Sequence, residues 1–222
     1  MIVARDLVKH YDGGLVKALN GISFEVEKSE VVALMGPSGC GKSTLLNLVG
    51  TLDTPTSGEI LIDGRSISAH RPLDRFRART IGFVFQFHHL IPGLSLLENT
   101  ELPMYPLGIS KKAMRKRATE MLVKVGLTDR MNFLPTKVSG GERQRAAIAR
   151  ALVNGPSIIL ADEPTGSVDT ETGKAILDHL IHLCHSQGAT MLIATHNLEI
   201  AAVTDRVLHM RDGVLGDATP VG

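Results

Sequence analysis

The chain has 222 residues, 43% of them hydrophobic and none of them Trp, which is enough for one large aliphatic core or two small ones. Lys and Arg total 24 against 23 Asp and Glu, so the net charge of +1 lacks the basic excess of a general nucleic-acid binder, and no nucleic-acid partner is expected. There is no run of about 18 or more apolar residues to span a membrane and no signal-like N-terminus, and Cys40 and Cys184 have no metal-ligand spacing, which points to a soluble protein of a reducing, cytosolic compartment.

In chain order, IVARDLVKHY, LVKALNGISFEVEK and the buried run VVALM read as strands, with turns expected at Gly13-Gly14 and at Gly21. GPSGCGKST (36–44) then leads into a helix, KSTLLNLVG. GEILID (58–63) is a further strand, closed by Asp63-Gly64. The middle turns helical: in KKAMRKRATEMLVKV the apolar residues Met114, Ala118, Met121, Leu122 and Val125 share one face. Lys111, Lys112, Arg115, Lys116 and Arg117 lie mostly off that face and read as a solvated surface.

VSGGERQRAAIARAL (138–152) is a Ser-Gly-Gly turn running into an amphipathic helix. From there strand and helix alternate: SIILA (157–161), a helix at 171–186, ATMLIAT, the short helix NLEIAAV and the strand DRVLHM. Such alternation implies an α/β protein with a mostly parallel sheet covered on both faces. The antiparallel-looking start and the helical middle read as additions to that core.

GPSGCGKST fits G-x-x-x-x-G-K-[ST] between a strand and a helix, the context a P-loop requires. Gly36, Gly39 and Gly41 let the backbone curl so that successive amides face phosphate, aided by the helix N-terminus. The nucleotide-binding set is Gly36, Ser38, Gly39, Cys40, Gly41, Lys42, Ser43 and Thr44. Lys42 neutralises the β- and γ-phosphates and Ser43 offers its hydroxyl to Mg²⁺. Asp162, at the end of a buried strand, is placed to hold the metal through water. Glu163, beside it and without a metal duty, is the natural base for an attacking water. The residues alone thus read as NTP hydrolysis.

GPSGCGKST, the Gln of FVFQF, VSGGERQR, IILADEP, GSVD and the His of IATHN stand in the order found in ATP-binding cassette (ABC) ATPases, and the resemblance covers nearly the whole chain. It implies a P-loop NTPase core with an N-terminal antiparallel β subdomain (1–86 and 154–222) and an inserted helical subdomain (87–153). It also implies ATP and Mg²⁺, and a homodimer in which two cassettes pair head to tail. In that arrangement Ser139, Gly140 and Gly141, with the start of the helix at 142, grip the γ-phosphate of a nucleotide bound mainly by the other chain. Tyr11 matches the aromatic that stacks on adenine, and Gln86 the loop glutamine that contacts Mg²⁺ or the attacking water. His196 matches the switch histidine, and Asp169 the loop that crosses the dimer interface.

Two positions depart from the family pattern. The signature reads VSGGE where LSGGQ is usual, so Glu142 puts a carboxylate near ATP, and its side chain is expected to turn toward ribose or its own helix. The interface loop reads GSVD, with Ser167 and Val168 where other residues are common.

The stretches FQFHHLIPGLSLLENTELPMYPLG and DTPTSGEILIDG resemble most the cassettes that serve lipoprotein release and macrolide or peptide export. That resemblance implies an integral membrane permease partner with a large extracytoplasmic domain, and a cytoplasmic site peripheral to the inner face of the plasma membrane. His88-His89 falls in the loop expected to meet that partner, while His179, His182 and His185 are expected to face solvent. The alternative is a regulatory or scaffold cassette, of the cell-division or cluster-assembly type, that drives no translocation.

Overall fold

In the computed structural model, residues 1–70, 72–166, 168, 170–216, 219 and 220 are described. Strands β1 (Ile2–Tyr11) and β2 (Val16–Val26) pair antiparallel. Gly21 lies inside β2, at φ 80°, and does not end a strand as the sequence suggested. The register slips by one there, since Leu7 pairs with Ile22 and Val8 with Asn20. A bulge of this kind lets Leu19 and Ile22, an odd number of residues apart, both face the core.

Next come β3 (Val31–Met35), α1 (Lys42–Val49), β4 (Ser57–Ile62) and the short β5 (Arg65–Ser66). Helix α2 (Leu73–Thr80) and strand β6 (Ile81–Phe85) follow. Little in the sequence marks α2, because LDRFRART is only two turns long and buries just Ala78. Helices α3 (Leu96–Glu101), α4 (Lys111–Lys124) and α5 (Gly140–Leu152) form the helical middle. In α4 the expected apolar face is buried and Lys111, Lys112, Arg115, Lys116 and Arg117 are exposed.

The last third is β7 (Ile158–Asp162), α6 (Thr170–Gln187), β8 (Thr190–Thr195), α7 (Leu198–Ala201), β9 (Arg206–Arg211), β10 (Val214–Leu215) and β11 (Thr219–Pro220). His182 and His185 of α6 are exposed as expected. His179 is half-buried, because it lines a crevice with Lys124 and Arg145 from α4 and α5.

Among the described residues the strands form two sheets. One is antiparallel, in the order β2-β1-β4-β5; the other runs β10-β9-β3-β8-β7-β6, with β11 paired to β9. In the second, β9, β3, β8, β7 and β6 are mutually parallel. Its central strands are apolar on both faces, as a doubly covered parallel sheet requires. Ile158, Leu160, Leu192 and Ala194 pack with Leu45 and Leu48 of α1 and with the antiparallel sheet. Ile159, Ala161, Met191 and Ile193 pack against α3 to α6. Each fully buried Leu or Ile contributes about 1.5–3 kcal/mol of transfer free energy, so the sheet is clamped by burial on both faces. No helix of the described residues is long and apolar enough to cross a membrane.

Candidate active site

Parallel register gathers residues that the sequence keeps far apart. Met35 at the end of β3 pairs with Thr195 of β8, while Asp162 of β7 pairs with Phe85 of β6 and Ala194 of β8. The next residues along the chain, Gly36, Gln86, Glu163 and His196, therefore emerge together at the carboxyl edge of the sheet. Ligand crevices of open α/β sheets form at that edge. Here it holds a cavity of ≈ 660 Å³, with Tyr11, Ser38, Gly39, Gly41, Lys42, Ser43, Thr44, Gln86, Asp162, Glu163 and His196 on its wall.

The glycine loop is shaped by contacts that leave no room for side chains. A Cβ on Gly36 would run into the carbonyl oxygen of Met210. Gly41 caps α1 at φ 107°, in the left-handed region glycine tolerates. Cys40 is buried with its thiol 4.0 Å from the Lys42 ammonium, and neither Cys40 nor Gly36 is on the cavity wall. The Lys42 ammonium, almost wholly buried, donates to the Gly36 carbonyl at 2.8 Å and the Pro37 carbonyl at 3.0 Å. A cation is thus held over a curl of amides at a helix N-terminus, the setting for an anionic phosphate.

Burial holds the Asp162 carboxyl above the usual aspartate range, and the charge of Glu163 adds to this, against a hydrogen bond with Ser43 and the charge of Lys42. A hydroxyl and a desolvated carboxylate bonded to each other on the cavity wall are the hard oxygen donors Mg²⁺ prefers, and a divalent cation would relieve the burial of Asp162. The residues fit the metal.

Glu163 follows at φ 45°, an unusual backbone for a residue with a side chain. Its carboxylate is mostly sheltered, at 16% exposure, and its Oε1 lies 2.6 Å from Nδ1 of His196, which is 73% exposed. The turn is held by the Glu163 amide on the Ala194 carbonyl (2.9 Å) and the Gly166 amide on the Glu163 carbonyl (3.0 Å). A Cβ on Gly166 would come within 2.9 Å of the Gln86 amide, so this glycine leaves Gln86 its place.

Tyr11 donates to Asp53 at 2.8 Å. Burial and that bond raise its phenol pKa. Burial alone would raise Asp53 too, but hydrogen bonds from Lys9, Tyr11 and the Thr54 amide bring it below the usual range. Asp53 and Lys9 fix the tyrosine, and no sequence motif pointed to them.

Ser139, Gly140, Gly141 and Glu142 are not on the wall of this cavity. They form the head of α5, where the Ser139 hydroxyl accepts from the Glu142 amide at 3.2 Å. The Glu142 carboxylate accepts in return from the Ser139 amide at 2.8 Å and from Arg130 Nε at 3.1 Å. Glu142 therefore turns onto its own helix start and not outward, a reciprocal box that satisfies two end amides. The Ser139 amide, with the Ser139 hydroxyl and Arg130, holds its carboxyl below the usual glutamate range. Asp169 lies outside the described residues.

Further along α5, Arg150 donates to the carbonyls of His88 and His89, both at 2.6 Å, and burial lowers its pKa to about 10. Those two histidines sit at φ 61° and 47°, directly after the Gln86 loop begins. His88 is buried, which lowers its pKa, and His89 packs against the Phe85 ring. Among the described residues no cluster of His, Cys, Asp and Glu forms a separate metal site.

A phosphate loop, an Asp-Glu pair and a histidine at adjacent strand ends define the class as a P-loop nucleotide hydrolase. The family model described as ABC transporter matches residues 19–166, and the chain belongs to that family of ATP-hydrolysing cassettes. It is 50% identical over 212 residues to an uncharacterized ABC transporter ATP-binding protein of Thermotoga maritima, covering 94% of this chain and 90% of that one. It is also 45% identical to the lipoprotein-releasing system ATP-binding protein LolD of Bacteroides thetaiotaomicron, over 97% of this chain and 99% of the relative. The dimeric structure of MJ0796, a bacterial ABC transporter cassette, superposes with a TM-score of 0.91 at 40% identity, covering 100% of this chain and 99% of that one. A post-hydrolysis state of MJ0796 bound to ADP and Pi matches equally well.

Proposed function

We propose that two copies of this chain pair head to tail around two ATP molecules and drive a membrane permease of the lipoprotein-release or export type. The observation that carries this reading is the separation of the two anion-binding helix starts. The head of α1 lies on the cavity wall, whereas Ser139, Gly140 and Gly141 at the head of α5 do not. A second chain brings its own α5 head to the phosphates already held by Lys42, adding donors where charge develops. The relatives named for lipoprotein release and the dimeric MJ0796 support the same reading.

In this reading Ser38, Gly39, Cys40, Gly41 and Thr44 cradle the phosphates with Lys42, and Tyr11 stacks on the base. Ser43, Gln86 and Asp162 hold Mg²⁺, which supplies charge neutralisation at the β- and γ-phosphates. Glu163 takes the proton of the attacking water. An ionised carboxylate only accepts, so Nδ1 of His196 carries the proton between them and Nε2 is free to face water and the γ-phosphate. Asp169 crosses to the other chain, and the helical subdomain at 87–153 meets the permease. The exposed Phe87 and Ile91 beside the Phe85-His89-Arg150 groove suit an apolar helix of that partner, whose extracytoplasmic domain is large. The cassette then sits on the inner face of the plasma membrane.

The test is affinity purification of the tagged chain from membranes, with identification of what comes with it. A membrane protein with a large extracytoplasmic loop is the expected companion. A soluble assembly factor in its place would overturn the transport reading.

A further inference from the structure

Gln144 is fully buried one turn inside α5, a helix that also buries Ala146, Ala147 and Ile148. Its Nε2 donates to the Pro164 carbonyl at 2.5 Å, and Pro164 directly follows Glu163. A carbonyl accepts only, so this bond fixes the amide, and its Oε1 then points into the core with no hydrogen-bond partner. Buried orphan acceptors are rare because they are costly, and an apolar side chain of the same size would avoid the loss. The bond to Pro164 is what the polar side chain accomplishes.

That bond falls on a turn of the site with strained backbone. Glu163 at φ 45° persists only if its surroundings over-determine it. Its two backbone bonds, to Ala194 and from Gly166, are local to the sheet edge and the turn. The Gln144 bond comes from another element, the helix whose capped head begins at Ser139. Gln144 stands five positions after Ser139, about 7.5 Å along the axis at 1.5 Å per residue. The capping box and the buried alanine face make this stretch of α5 a stiff segment.

We propose that Gln144 is a positioning residue that couples the two ATP sites of the dimer. The α5 head grips the nucleotide on the other chain's P-loop, while Gln144 holds the Glu163-Pro164 turn that acts on the nucleotide of its own chain. A shift of α5 on phosphate contact is passed through this bond to the base. The inference rests on the paired reading given above.

The experiment uses the full chain with ATP and Mg²⁺, in Gln144→Met, which keeps length and cannot donate, and in Gln144→Glu, which sets a carboxylate against the Pro164 carbonyl. Melting temperature, the ATP dependence of turnover, and ATP-driven dimer formation in a Glu163→Gln background are measured together. The wild-type chain is expected to show a Hill coefficient above 1. Gln144→Met is expected to melt as the wild type and to form the dimer, with a Hill coefficient near 1 and kcat lower by roughly tenfold to a hundredfold, the scale of a misplaced catalytic group. If Gln144→Met does not fold, Gln144→Glu reads the same quantities. Wild-type kcat and Hill coefficient in a variant that folds and dimerises overturn the proposal alone. A Hill coefficient of 1 in the wild type does the same. Failure of Glu163→Gln by itself to dimerise with ATP overturns the paired reading, and this proposal with it.

Discussion

Nδ1 of His196 sits 2.6 Å from Oε1 of Glu163, so the residue after β8 and the residue after β7 already touch in a single chain. On the proposed reading the base and its orienting histidine are pre-assembled. Glu163→Gln is expected to keep ATP binding, lose turnover by roughly 10²–10⁴-fold and accumulate an ATP-bound dimer. Steady-state kinetics and size-exclusion chromatography check this, and near-normal turnover would remove Glu163 from the role of base.

Asp162 should reveal a conflict between stability and catalysis. Burial raises its pKa in the folded chain, so this carboxyl favours the fold below the unfolded value of 3.8, and that contribution is lost as pH rises through the folded value. At neutral pH the ionised group therefore opposes folding. Asp162→Asn is expected to raise the melting temperature of the nucleotide-free chain by about 1–3 °C while abolishing Mg²⁺-dependent hydrolysis. A lower melting temperature would contradict the desolvation argument.

Glu142 has the opposite sign. Its folded pKa is lowered, so its stabilisation is present above the unfolded value of 4.5 and is lost as pH falls through the folded one. Glu142→Gln preserves the reciprocal box, and turnover near the wild-type rate is expected. Glu142→Ala opens the box and should cost about 0.5–2 kcal/mol, the range of a lost helix cap. Urea melts at pH 7 and pH 4 should show that difference shrinking at the lower pH. Equal differences at both would sink the assignment.

Lys42 donates to two carbonyls of its own loop, and on the proposed reading the same ammonium serves phosphate. Lys42→Ala is expected to lose nucleotide affinity by at least tenfold, read by fluorescent-nucleotide titration, because both the charge and the anchor of the curl go together. Unchanged affinity would reject the phosphate-loop assignment.

Much of the site was legible because its parts are contiguous. The P-loop carries its strand, glycines, lysine and helix start within 14 residues, 31–44. Asp162-Glu163 announces itself after four apolar residues. Other features have partners that proximity in sequence cannot supply. Gln144 meets Pro164 20 residues on, and Arg150 meets His88 and His89 62 and 61 residues back. Both appear in the sequence only as polar residues interrupting an apolar helical stripe. The direction of Glu142 is open in the sequence because both outcomes are electrostatically reasonable at a helix start; the Ser139 amide and Arg130, the latter from a turn no motif marks, hold it on its own helix. Gly21 reads as a turn in the sequence because a bulge glycine and a turn glycine look alike until the partner strand shows the slip.

The pairing of Phe85 with Asp162 and of Asp162 with Ala194 has a practical consequence for anyone refolding or redesigning this chain. Moving β7 by one residue along its neighbours would present Glu163 where Asp162 belongs and swing both carboxylates to the opposite faces of the sheet. Such a molecule would keep every motif, much of its apolar burial and a helical spectrum, and it would be catalytically silent. Turnover therefore measures something spectroscopy overlooks: the fraction of molecules in which the middle strand has settled on the right rung.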